Sequence, residues 1–136
     1  MKFHYTLSPL FPGGMLPLVN ISLYHAGHEM STIALVDSGA MVSVLPYDLG
    51  LELGFKWEEQ TIPLELTGAT KGPAYGVLVR GELAGLSPVA LVFAWSHRSS
   101  DEIRTVLGNL NFFQHYKATF EAYANTFELT PRNDPG

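Results

Sequence analysis

Along most of this chain apolar residues either alternate with polar ones or gather in short blocks between turn residues, and neither pattern runs long enough for an extended helix. The blocks are strand-length. Residues 16–24 and 29–36 alternate and flank His25-Ala26-Gly27-His28, which predicts an antiparallel hairpin with Gly27 free to take a positive φ. Within the second arm, residues 31–36 form the strand that leads into a turn at Ser38-Gly39, and residues 41–45 form the strand that leaves it. Residues 60–66 and 75–83 predict a second hairpin, and residues 89–95 an interior strand. The last two strands bracket a turn at Ala122-Tyr123-Ala124-Asn125. Two short helices are expected, one over 46–53 with Pro46 at its start and Gly54 at its stop, the other over 110–116 after Gly108. Residues 97–102 read as a polar surface loop. The whole predicts one all-β domain spanning 1–136, without internal repeats, whose ends at 1–14 and 131–136 are flexible or interface-forming.

One residue does not fit a purely structural pattern. Asp37 closes the apolar run Ala34-Leu35-Val36 and precedes Ser38-Gly39-Ala40, so an ionisable group sits in a loop whose two sides are anchored in the interior. Read alone, these residues fit an Asx-turn equally well, with the carboxylate accepting backbone N–H groups two residues on.

The neighbouring residues add a second reading. Asp37-Ser38-Gly39-Ala40, followed by Val42, Val44, Leu45 and Pro46, resembles the active-site loop of retropepsin-like aspartic proteases. Thr105-Val106-Leu107-Gly108, then Phe112-Phe113, Ala118-Thr119-Phe120-Glu121 and Thr126-Phe127-Glu128-Leu129, is similar to that family's apolar-apolar-Gly loop and closing strands. Between the two, Gly68-Ala69-Thr70-Lys71-Gly72 and Tyr75-Gly76 fall where such proteins carry a glycine-rich flap. The matches stand in family order and cover roughly residues 17–130. The run Leu107-Gly108-Asn109-Leu110 resembles the prokaryotic and cellular branch more than the viral one, which usually has a basic residue just after the glycine.

The resemblance implies a single-lobe, acid-protease-like closed β-barrel or sandwich with one or two short helices, working as a symmetric homodimer. The family's chemistry needs two facing carboxylates, one ionised to take a proton from water and one protonated to hydrogen-bond the scissile carbonyl. The Asp-Ser/Thr-Gly motif occurs once here, since Asp48, Asp101 and Asp134 precede Leu49, Glu102 and Pro135. Asp37 of each subunit is therefore expected to meet across a two-fold axis. Like charges that close resist joint ionisation, so an acidic optimum of roughly pH 3–6 is expected, on the pattern of the pepsin dyad. Water would attack the peptide carbonyl directly, with no covalent intermediate, cofactor or metal. By the same resemblance, the Ser38 hydroxyl reaches the partner loop, Gly39 permits the close backbone approach, and Ala40 leaves room beside the carboxylate. Leu107 and Gly108 pack behind the loop. Gly68, Ala69, Gly72, Tyr75 and Gly76 belong to a flap that closes over a peptide or protein substrate, with Tyr75 lining the cleft and Pro73 stiffening the segment. A plain surface hairpin is the competing reading of the flap. For the whole protein the competing reading is a catalytically silent module of the same fold, dimerising or gripping extended segments by β-augmentation.

Composition narrows the remaining classes. A chain of 136 residues fits one domain with a real core, and 46% hydrophobic against 15% charged residues marks it as globular. So low a charge also hints at apolar surface covered by a partner. The net charge of −5 offers no basic stripe, so nucleic acid is not an expected partner. Without cysteine there is no disulfide, thiolate nucleophile or cysteine metal site, which fits a reducing, cytoplasmic location. No apolar run approaches the roughly 20 residues of a membrane span, and Pro9, Pro12, Gly13, Gly14 and Pro17 interrupt the N-terminus too often for a signal-peptide core. The same prolines do not plainly offer a terminal strand for a dimer sheet. His25 and His28 flank a hairpin glycine without a third ligand at useful spacing, so no metal is expected. Residues 68–72 lack the Gly-Lys-Ser/Thr ending of a phosphate loop, and no nucleophile elbow is present.

Overall fold

The computed structural model describes residues 1–7 and 14–132. In chain order these form strands β1 (Lys2–His4), β2 (Thr6–Leu7), β3 (Met15–Leu16), β4 (Leu18–His25), β5 (His28–Val36) and β6 (Ser43–Leu45), then helix α1 (Tyr47–Glu52). They continue as β7 (Pro63–Leu66), β8 (Gly72–Leu83), β9 (Val89–Ser96), β10 (Thr105–Leu107), helix α2 (Phe112–His115), β11 (Tyr116–Glu121) and β12 (Thr126–Pro131). Single 3₁₀ turns occupy Trp57–Glu59, Gly68–Thr70 and Ala122–Ala124. Residues 8–13 and 133–136, parts of the ends expected to be flexible or interface-forming, lie outside the described residues.

The β4–β5 hairpin forms where the alternation predicts it. His25 pairs with His28 across Ala26 and Gly27, whose φ angles of 46° and 85° are both positive, the twist a two-residue hairpin loop requires. Val19, Ile21 and Leu23 point into the core on alternate positions, while Asn20 between them is exposed.

Six strands close into a barrel in the order β4-β5-β10-β6-β9-β8, with β4 pairing β8 to complete the ring. Two of its joints are parallel, β5 with β10 and β6 with β9. Strand β7 hangs on β8 as an edge. The molecule is thus mostly β, with two short helices. Among the described residues no helix is long and apolar enough to cross a membrane.

The barrel is filled from β8 and β9 by Val77, Val79, Leu91, Phe93 and Trp95, joined by Leu45, Leu107 and Phe112. Trp95 is fully buried and its indole N–H donates to Tyr47 O at 3.0 Å, so its polar atom is satisfied. Gly50 of α1 makes this possible, because a Cβ there would overlap the indole ring. The helix stops at Gly54, which has φ 85°. His25 Nδ1–H donates to Leu53 O at 2.9 Å and the ring stacks on Phe55, while His28 lies against Gly54. Both imidazoles therefore cover the end of α1.

Three details depart from expectation. The N-terminus does supply a strand, ahead of the prolines: β1 pairs β12 in a sheet ordered β1-β12-β11, with Phe3 stacked on Phe127 at 5.2 Å. Helix α2 begins at Phe112 and not at Leu110, because Leu110 is held in extended pairing with the loop after Asp37. Strand β8 starts at Gly72, three residues before the predicted position.

Candidate active site

Asp37 sits one residue beyond the parallel pairing of β5 with β10, in which Ala34, Leu35 and Val36 oppose Thr105, Val106 and Leu107. Its N–H donates to Leu107 O at 3.0 Å, extending the ladder by one bond. The chain then turns sharply. Ala40 N–H donates to Asp37 O at 3.1 Å, and Gly39 N–H donates to Asp37 Oδ1 at 2.9 Å. The Asx-turn is therefore present, and it uses one carboxylate oxygen only. Oδ2 accepts no hydrogen bond from the described residues. Asp37 is half-buried, whereas Ser38 and Gly39 are exposed. The Ser38 hydroxyl has no partner among the described residues.

The second block latches this loop from behind. Leu107 is fully buried, and Gly108 approaches so closely that a Cβ on it would lie 2.5 Å from Val42 O and 2.9 Å from Ala40 O. Its N–H donates to the buried Ser43 hydroxyl at 3.0 Å. Asn109 then clamps the turn: its Nδ2 donates to Ser38 O and Ala40 O, each at 2.9 Å, and its own N–H donates to Ala40 O at 2.9 Å. Leu110 N–H donates to Met41 O, and Ser43 N–H to Leu110 O. A short loop with an acid at its base is thus held at Asp37, Ser38, Ala40 and Met41, the kind of support that orienting a side chain demands.

In front of the loop lies a cleft of about 740 Å³. Leu35, Val44 and Val106 form its floor beside Asp37 and Ala40, and Leu64, Leu66, Thr67 and Ala69 form the opposite wall. Residues 102–104 close one side. The expected flap residues divide. Gly68 (φ 71°) and Gly72 (φ 137°) shape the turn between β7 and β8 without lining the cleft, and Ala69 does line it. The turn is tied down, because Arg98 donates from Nη1 to Ala69 O at 3.2 Å and from Nε to Glu102 at 3.0 Å. The loop after β9 therefore braces the hairpin.

Tyr75 and Gly76 lie elsewhere. Ala74 is buried with Leu66 and Val106 on the cleft side, so its neighbour Tyr75 turns to the other face and meets Trp57 edge-on at 4.7 Å. The expectation that Tyr75 lines the cleft is corrected accordingly. Gly76 is an interior position of β8, opposite Ala94, and its N–H donates to Ile62 O.

Asn109, Ser43, Arg98 and Arg104 were not singled out by sequence reasoning. Asn109 alone left a sequence signal, as the polar residue straight after the apolar-apolar-Gly block. Comparison of the chain with protein-family models and with curated proteins finds no match.

Proposed function

We propose that this protein is an aspartic endopeptidase, hydrolysing peptide bonds with a water held between the Asp37 carboxylates of two subunits in a homodimer. The observation that carries the reading is the state of Asp37: a half-buried carboxylate at the rim of an apolar cleft, with one oxygen engaged by Gly39 and the other open. An Asx-turn that served only the backbone would have no need of the Asn109 and Gly108 latch, nor of a cleft in front of it. The dimer is supported by what surrounds Asp37. Ser38 offers a hydroxyl without a partner among the described residues, and Met41 and Leu110 are 83% and 48% exposed near it, apolar area that a second copy would cover.

In this mechanism one carboxylate takes a proton from the water as it attacks the scissile carbonyl, and the other donates a hydrogen bond to the developing oxyanion. Leu35, Val44 and Val106 keep bulk water from the floor, and the β7–β8 hairpin covers the substrate. The cysteine-free chain fits a reducing compartment such as the cytoplasm.

The test is cleavage of a mixed peptide library between pH 3 and pH 8 by the wild-type chain and by Asp37→Asn, with solution mass recorded for both. Cutting that peaks at roughly pH 3–6, and is lost in an Asp37→Asn protein of unchanged mass, is the expected result. A folded dimer that cuts nothing would sink the proposal. That outcome would favour the second reading, a peptide-gripping module, which the free edge of β7 beside the cleft makes concrete: an extended segment can add to that edge as a further strand.

A further inference from the structure

The geometry points to Arg104 as the residue that chooses the substrate: the cleft takes extended peptides that carry an acidic side chain within four residues of the bond above Asp37. This rests on the reading of the cleft as a peptide site, cutting or gripping.

The residues that line the cleft place Arg104 at its rim. Leu35 and Val106 are paired in register and both line the cleft. Thr105 turns the opposite way, its hydroxyl 3.2 Å from that of Thr32. Arg104 lies just before β10, at the rim where the cleft meets a second groove lined by Thr32, Asp101 and Thr105, and it borders both. Asp37 lies level with Gly108, so four chain positions through β10, about 13 Å at the strand rise of ~3.3 Å, separate it from Arg104. A peptide lying extended along the floor passes Arg104 within the same number of its own residues.

Charge bookkeeping singles out this group. Arg104 is the one cation among the described residues that line the cleft, it is half-buried, and its guanidinium has no hydrogen-bond or ion-pair partner among the described residues. The carboxylates nearby do not answer it. Glu102 is paired with Arg98. Glu65 borders the cleft but alternates with Leu66, which is buried beside Val106 and Ile103, and neither Glu65 nor Asp101 of the adjoining groove forms an ion pair with Arg104 among the described residues. A half-desolvated guanidinium without a partner is a fork-shaped receptor for a carboxylate. The net charge of −5 would repel acidic peptides at long range, so a preference for them must arise locally.

Fluorescent eight-residue apolar peptides, identical except for a single Glu, Gln or Lys moved along the chain, test this by anisotropy with Asp37→Asn protein, which holds peptides uncut. The best Glu peptide is expected to bind roughly tenfold tighter than its Gln twin at pH 6. The gap closes at pH 3, where a peptide carboxylate of ordinary pKa near 4 is protonated while arginine stays charged. Arg104→Glu, made in the same background, reverses the order in favour of Lys, and Arg104→Lys keeps part of the Glu preference. Since Arg104 has no partner to strand, these variants are expected to fold, and thermal unfolding checks it. Equal affinities, no binding of any peptide, or a Glu preference unchanged in Arg104→Glu would overturn the assignment. Wild-type cleavage of the same peptides separates the two claims. Cutting without acidic preference refutes the role of Arg104 and leaves the peptidase, while Glu-selective binding without cutting supports Arg104 and refutes the peptidase.

Discussion

Ser100 gives both its backbone N–H (2.7 Å) and its hydroxyl (2.5 Å) to the carboxylate of Asp48, across 52 positions of sequence. Burial alone would raise the Asp48 pKa, but the Ser100 hydroxyl and N–H, helped by the N–H groups at Asp48 and Leu49, outweigh it and hold the acid below its ordinary 3.8. A carboxylate lowered on folding adds stability that is present above its unfolded pKa and is lost as pH falls through the folded one. Ser100→Ala is therefore expected to cost about 0.5 kcal/mol at pH 7, a small figure because the pair is open to solvent. The cost should shrink as pH drops below about 4. Thermal unfolding of both proteins at pH 7 and pH 3 measures it, and an equal difference at the two values would show that the bond to ionised Asp48 is not its source. The same contact ties the first turn of α1 to the loop whose Arg98 braces the β7–β8 turn.

The Asp37 loop acts as an element only together with the segment behind it. Asn109 Nδ2 is the one donor to Ser38 O among the described residues and a second donor to Ala40 O beside the Asn109 N–H, so Asn109→Ala should cost about 1 kcal/mol of stability and most of any activity. Asn109→Asp should do no better, since a carboxylate cannot donate to Ser38 O and Ala40 O. Urea unfolding, with hydrogen exchange at residues 38–42, reports on this, and an Asp variant as tight as the wild type would refute the clamp. How much of this could be read beforehand follows from the range of each interaction. The β4–β5 hairpin and the stop at Gly54 were legible because the residues that make them are adjacent and their φ angles follow from glycine. The acid, its small neighbours and the apolar-apolar-Gly block were legible because each is a local pattern. The clamp was not, because its donor and acceptors lie 69 and 71 positions apart. Tyr75 was misjudged for another reason: in Ala74-Tyr75 the smaller side chain is the one buried, and alternation alone does not say which face is inside. A terminal strand as short as β1 has no period to detect.

For the molecule as a whole, the proposed dyad would make activity a property of pairs. Specific activity per chain is expected to be constant at high concentration and to fall on dilution below the dimer dissociation constant, approaching proportionality to concentration. Activity per chain that stays flat while light scattering reports monomers would refute the two-subunit site. The barrel also has an order of assembly built into it. Its closure depends on parallel joints between strands far apart in the chain, β5 with β10 and β6 with β9, and such non-local pairings form late and slowly. Asp37 takes its place only when Leu107 is there to accept its N–H, and the turn after it only when Asn109 is there to hold it. On the ribosome, then, a chain that has already exposed its acid must wait for another 71 or so residues to be made before that acid acquires a shape. Whatever chemistry the loop performs is withheld from the unfinished polypeptide and from its neighbours during synthesis.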